Sequence, residues 1–330
     1  MISYADVNAA LVQWGDRLFY PGNRRVRTDR TPRLDGSLGR QAQAIRSRIE
    51  ATVVRRAPQA FFKITGGGKG MAAIAKHFAY ISRGGQLALE DDRGLTHSSK
   101  EEIRELLQQW RYGGAFIPDV SARREAMNFV LATAPGSDPH PLRLAVRDFA
   151  RATLSEHRYV MVLHEDRAHP HVHLTVRAHS MSGRRLQTWS PQERWRSEFA
   201  ERLRALGVDV EATGQSTRGE SRMSIPIWQV KAEQRGTLRN KGSKTKSGEA
   251  YLRNCAEAMT CWSGLMTALQ QSPSPEDRKL AEGIHRFVRE TPFFQEVVAH
   301  RERQVAQAFR EQASRQTGTM VVRDGQEWTR

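Results

Sequence analysis

The sequence predicts an α+β fold: a central, largely antiparallel sheet with helices mainly on one face, followed by a helical C-terminal region. Three observations predict it. Two apolar runs of strand length, Tyr159–Leu163 and Val172–Val176, flank a short connection and read as a hairpin. Stretches of 3.6-residue apolar periodicity alternate irregularly with strand-like runs between residues 60 and 210. Mixed elements around a central hairpin suit one sheet with packed helices. Beyond residue 250 the helical pattern alone continues.

Taken in order, Val7 to Leu18 is a short amphipathic piece. Turn signals follow at Pro21-Gly22, Thr31-Pro32 and Asp35-Gly36. Ten arginines lie between Arg24 and Arg56 against three acidic residues. This stretch is either a basic arm that tracks phosphates or a solvated linker with a short helix over Arg40–Val54. Ala60–Ile64 reads as the first strand, and Thr65–Gly70 leads into a helix from Met71 to Arg83, stopped by Gly84-Gly85. A second helix spans Ser98 to Arg111, with serine caps and Glu101 and Glu102 in its first turn. Met127–Thr133 alternates like a strand. Pro141–Glu156 is helical, with Leu142, Val146, Phe149 and Thr153 on one face. After the hairpin, Pro191–Leu206 aligns Trp195, Phe199, Leu203 and Leu206, with Gly207 as the stop. Val208–Val210 reads as a last strand. The expected organisation is a basic extension over 1–57, a domain over 58–220, a basic linker over 221–250 and a helical region over 251–330. Ser274-Pro275-Glu276-Asp277 opens one of the late helices.

Lys and Arg number 52 against 36 Asp and Glu, for a formal charge of +16. The pI is near 10.5. Such a balance points to polyanions, nucleic acid ahead of a membrane surface, with a merely basic surface as the plain alternative. Cys255 and Cys261 match no zinc spacing and make no disulfide framework, which fits a reducing cytosol. No apolar run approaches transmembrane length, and the N-terminus has no secretory pattern.

The chemistry concentrates in His164-Glu-Asp-Arg-Ala-His-Pro-His-Val-His-Leu174, which holds four of the eleven histidines. His171 and His173 are two apart, so on a strand they share a face. A hairpin would bring His164 opposite them, and three neutral imidazoles would form a divalent-metal site with open positions. Imidazoles suit Zn or Mn, and an open site also admits Mg beside a substrate phosphate. Asp166 would orient a ligand ring, accept a proton, or simply cap the turn. His169, on the connection, would support the site or face DNA. Thr65-Gly-Gly-Gly-Lys-Gly70 fits neither a Walker A loop nor G-x-G-x-x-G. It is a phosphate cradle at a helix N-terminus or a plain tight turn. On the helix after it, Met71, Ile74, Phe78 and Ile81 form the apolar stripe. Tyr80 falls about 140° from that stripe, beside two potential cations, Lys76 and His77.

Read together, Ile64–Gly70, His77-Phe-Ala-Tyr-Ile-Ser-Arg83 and His164-x-Asp-x-x-His-Pro-His-Val-His-Leu174 resemble the relaxase domain of conjugative plasmids. The likeness is to the P-class mobilisation relaxases, a group of HUH-type single-strand endonucleases that includes the T-DNA border endonuclease. It covers about residues 58–220. The resemblance implies a central antiparallel sheet, Tyr80 as nucleophile, and His164, His171 and His173 as ligands of a divalent metal, Mg or Mn ahead of Zn. It implies nicking of single-stranded or supercoiled DNA at an origin of transfer, through a covalent 5′-phosphotyrosyl intermediate. Asp166 is the candidate proton acceptor, and Lys63, Lys69, Lys76, Arg83 and Arg177 are the candidate DNA contacts. The implied setting is the bacterial cytoplasm without membrane insertion, with accessory relaxosome proteins, a coupling protein, and passage of the protein with the transferred strand. One departure stands out: family members often continue the histidine strand with an apolar pair and Asn, where this chain has Leu174-Thr-Val-Arg177. The alternatives are a rolling-circle initiator or transposase with the same chemistry, and a metal-stabilised DNA-binding accessory protein in which Tyr80 is structural.

Overall fold

The computed structural model describes residues 3–20, 36–165, 169–187, 192–220, 233, 235–237 and 248–321. In chain order it contains helices α1 (Tyr4–Phe19) and α2 (Leu38–Ile49), the latter running into a π-helical turn over Glu50–Val54. Strand β1 (Phe61–Gly66), helix α3 (Met71–Ile81), strands β2 (Leu89–Asp91) and β3 (Thr96–His97) and helix α4 (Lys100–Tyr112) follow. Next come β4 (Ala126–Ala132), α5 (Pro139–Thr153), β5 (Tyr159–His164), β6 (His171–Arg177) and α6 (Gln192–Ala205). A 3-10 turn at Ser216–Arg218 precedes α7 (Glu249–Gln270), α8 (Pro275–Glu290) and α9 (Pro292–Val321). The chain divides into two compact units, Gly15–Gly214 and Met1–Trp14 with Gln215–Arg330.

The first unit is built on a six-stranded sheet of order β1-β4-β6-β5-β2-β3 with every pairing antiparallel. Its layering departs from the expectation of helices mainly on one face. Phe62, Phe129, Leu131, Met161, Val172 and Leu174 point to a layer formed by α5 and α6. Ala126, Val160 and Val162 point the other way, under α3 and α4. Strands β4 and β5 carry apolar side chains on both faces, while β6 is apolar on the α5 side only and sets His171, His173, Thr175 and Arg177 on the other; both faces are covered. Trp195 of α6 plugs the first face, its ring 5.9 Å from Phe62 and 5.7 Å from Phe129. On α4, Ser99 and Glu102 form a reciprocal capping box, and Asp138 caps α5 by accepting from the His140 N–H.

The β2–β3 hairpin has no counterpart in the expected strands. At three and two residues its strands are too short for periodicity. Its turn is held by buried Asp91, which accepts from the backbone of Arg93 and Leu95 and from the Arg93 guanidinium. These bonds keep its carboxyl below the usual range against the opposing effect of burial. Val208–Val210 does not form the expected strand: a single parallel bridge, Gln59 to Glu211, is all that joins there. The α2 segment is packed rather than loose. Ala42, Ile45 and Ile49 are buried, and Arg48 donates to Glu211 at 2.6 and 3.1 Å.

The second unit is helical. Trp262 of α7 packs its ring 5.4 Å from Phe287 of α8 and donates from Nε1 to the Thr217 carbonyl at 2.8 Å. A Cβ at Gly264 would overlap the Trp14 indole, so the bare backbone is what lets α1 approach α7. Ser274 caps α8, with Pro275 in its first turn, as the sequence suggests. Cys255 and Cys261 are buried free thiols.

Burial lowers the pKa of His157 and His179 below the ordinary imidazole value. His157 Nδ1 nevertheless keeps a 2.8 Å bond to the Arg177 carbonyl. The unfolded chain therefore binds more protons than the folded one as pH falls below about 6.5. Their stabilisation is fully present above that value and is lost as pH falls through the lowered folded values. The urea midpoint should drop between about pH 7.5 and 5.5; a midpoint that stays level would exclude this.

Candidate active site

Strands β5 and β6 pair so that His164 lies directly opposite His171 and Val162 opposite His173. Paired residues share a face, so the three imidazoles converge at one end of the two central strands, under α3. One ring nitrogen from each lies within 4.8 Å of the others. Hydrogen bonds orient two of the rings. His164 Nε2 bonds the Ile81 carbonyl at 2.7 Å, and His171 Nδ1 bonds the His169 carbonyl at 3.1 Å. Carbonyls only accept, so these nitrogens carry the protons, and the lone pairs sit on His164 Nδ1 and His171 Nε2. His164 is buried, and the other two are half-buried and open to solvent on one side.

Helix α3 lies over this end of the sheet because its apolar stripe, Met71, Ile74, Phe78 and Ile81, is wholly buried. Tyr80 is off that stripe and 44% exposed. Its ring centroid is 6.1 Å from that of His173, nearly perpendicular to it. His77 completes the group, 6.3 Å from Tyr80 and 6.4 Å from His173. Burial lowers the His77 pKa, which disfavours the charged form of this potential cation beside Tyr80. Its buried Nε2 has no hydrogen-bond partner among the described residues. The helix stops two residues earlier than expected. Gly84 N–H bonds the Ala79 carbonyl at 2.8 Å and Arg83 N–H the Tyr80 carbonyl at 3.3 Å, with Arg83 left-handed at φ 52°. This is a Schellman end with arginine where glycine is usual, which costs about 1–2 kcal/mol and sets Arg83 next to Tyr80.

Residues 80–207 match the relaxase family in its MobA/VirD2-like nuclease domain, a stretch that starts at Tyr80 itself and takes in all three histidines. This stretch is similar to a relaxase nuclease domain. A curated relative, the T-DNA border endonuclease VirD2 of Rhizobium radiobacter, is 26% identical over 175 residues, 47% of this chain and 41% of that protein. The chain thus spans less than half the length of that relative. No solved structure matches.

Within the matched stretch, three clustered imidazoles, two of them oriented by hydrogen bonds to main-chain carbonyls, can hold a divalent cation. Asp166 lies outside the described residues. His169 enters through its carbonyl, which orients His171. Lys63 pairs across β4 with Val130, which pairs in turn with His173, so Lys63 and His173 share a face two strands apart. Lys69, Lys76 and Arg83 are exposed, just before, on and just after α3. Arg177 does not fit its expected DNA contact. It is 2% exposed, and its guanidinium donates to the carbonyls of Gly113 and Ala115, leaving no face for a phosphate. The glycine loop is not an open cradle either. The N–H groups of Gly68, Met71 and Ala72 bond the carbonyls of Ala126, Pro118 and Asp119. A Cβ at Gly67 or Gly70 would overlap Ala126 or Asp119, so these glycines serve close packing. What the sequence could not reveal was the Ile81 carbonyl as a partner of His164, since main-chain acceptors carry no residue signature.

Proposed function

We propose that this relaxase domain nicks one DNA strand, site-specifically, at an origin of transfer. The observation that carries the reading is the Tyr80 ring set against His173 within the three-histidine cluster. Tyr80 Oη attacks the scissile phosphorus, an O–P bond to the tyrosine forms, and the P–O3′ bond breaks. The tyrosine proton goes to an acceptor, for which Asp166 is the candidate, and the leaving 3′ oxygen takes up a proton to become a hydroxyl. The 5′ phosphate stays on the enzyme, which conserves the bond for rejoining in conjugative mobilisation. A divalent cation held by His164, His171 and His173, Mg or Mn ahead of Zn, supplies charge stabilisation on the non-bridging oxygens when bound. Lys63, Lys69, Lys76 and Arg83 place the phosphates. The same reading assigns the protein to the bacterial cytoplasm, with accessory relaxosome proteins and a coupling protein as partners and passage with the transferred strand. Among the described residues no helix is long and apolar enough to cross a membrane.

The test uses the full chain on supercoiled plasmid carrying its origin, denatured after incubation with Mg or Mn. Nicking and a protein–DNA adduct are expected, and chelation should abolish both. His171→Ala and His173→Ala should lose metal-dependent cleavage while keeping salt-sensitive DNA binding. Undiminished cleavage by either variant would overturn the ligand assignment.

A further inference from the structure

We propose that Tyr112 and Phe116 form a base-stacking platform for single-stranded DNA at the end of α3 opposite Tyr80. This deepens the nicking function proposed above and rests on it.

The two rings lie 5.7 Å apart, tilted by 42°. They are 64% and 58% exposed, and Val120 on the same loop is exposed as well. Large apolar side chains clustered in water mark a surface that something covers. The loop that presents them is firmly fixed. Ile117 is buried in the layer beneath. Arg177 bonds the carbonyls of Gly113 and Ala115 from below. The N–H groups of Met71 and Ala72 bond the carbonyls of Pro118 and Asp119, tying the loop to the start of α3. Arg177 thus acquires a role: the strand that carries His171 and His173 at one end braces this loop at the other.

The occupant follows from the surroundings. Segment 111–125 holds Arg111, Arg123 and Arg124 against Asp119 and Glu125, which pair with Arg111 and Arg123 respectively. Arg158 lies beneath the loop at Gly113. From Met71 to Tyr80 is about 14 Å of helix; exposed Lys69 lies just before that span and exposed Lys76 within it. Flat aromatic faces among cations, leading by lysines to the nucleophile, fit a polyanion with free π-faces. A duplex keeps its bases stacked on one another and offers none. Single-stranded DNA offers both backbone charge and open bases, so the strand would run from the platform along α3 to Tyr80.

The probe is a thirty-nucleotide oligo-dT bound by the full chain, followed by anisotropy across a salt series. Tyr112→Ala/Phe116→Ala should weaken binding roughly tenfold or more. The slope of log affinity against log salt should stay as in the wild type, because stacking releases no counterions. Lys76→Ala should instead flatten that slope. Tyr112→Trp and Phe116→Trp should keep wild-type affinity, and their indole emission should be quenched by the oligonucleotide. Unchanged affinity in the double alanine variant, or unquenched indoles, would overturn the platform. So would a wild-type dimer that the double variant dissolves, since the rings would then serve a second copy. Adduct formation on origin DNA separates the two readings: if it persists while the platform tests fail, only the platform falls, and if the wild type forms no adduct, the nicking function falls with it.

Discussion

Tyr80→Phe is expected to abolish the covalent adduct and to reduce nicking by on the order of 10⁴-fold or more, the scale seen when a nucleophile is removed. The substitution deletes one oxygen and leaves the ring. Tyr80 is nearly half exposed and lies outside the buried stripe of α3, so the fold should not register the loss. Its ring contacts with His77 and His173 should persist, because they involve the ring rather than the hydroxyl. DNA affinity and melting temperature should therefore match the wild type within error. An adduct formed by Tyr80→Phe would remove Tyr80 as nucleophile. A large fall in melting temperature would instead identify its hydroxyl as structural, which is the accessory-protein alternative.

His164→Ala should do more damage than His171→Ala, although both remove one imidazole. Each should abolish metal-dependent cleavage and weaken Mn binding by well over the 10–100-fold typical of losing a supporting partner. His164 also donates to the Ile81 carbonyl, the last helical residue of α3 and the neighbour of Tyr80. Helix-end carbonyls lack intrahelical partners, and stranding a buried one costs about 1–3 kcal/mol. His164 thereby links the metal position to the backbone that carries the nucleophile. Hydrogen exchange in metal-free protein gives the discriminating readout. The Gly84 amide, bonded to the Ala79 carbonyl in the turn that ends α3, should exchange faster in His164→Ala than in His171→Ala. Equal protection in the two variants would show that the Ile81 bond does not hold the helix end.

Much of this site is legible in the sequence because it depends on local periodicity. Two histidines two apart on a strand must share a face, and a short connection must return the chain beside His164. Tyr80 is outside its helix's apolar stripe by simple angle counting, and it is exposed as expected. The caps of α4 and α8 follow from side chains within three residues of each helix start. The antiparallel pairing of β5 with β6 also follows, since two strands joined by a tight connection can pair in few other ways.

The tertiary structure decided what depends on partners distant in sequence. Strands β4 and β5 are apolar on both sides, but only packing shows that α3 and α4 cover one face and α5 and α6 the other. Charge is visible in a sequence and burial is not: Arg177 reads as a DNA contact and is in fact bonded beneath the 113–115 loop. His77 reads as a potential cation, and burial lowers its pKa below the ordinary imidazole value. The loop at Thr65–Gly70 reads equally as a phosphate cradle or a tight turn until the Ala126 carbonyl takes the Gly68 N–H and those of Pro118 and Asp119 take the first N–H groups of α3. The sequence by itself determined the reactive residue types, the shared face of His171 and His173, and the sheet they stand on, because periodicity along one chain settles those. Which groups are buried, which main-chain carbonyls they meet and which cations remain at the surface were decided only when separate segments packed, because desolvation and hydrogen bonding act between residues that the sequence keeps far apart.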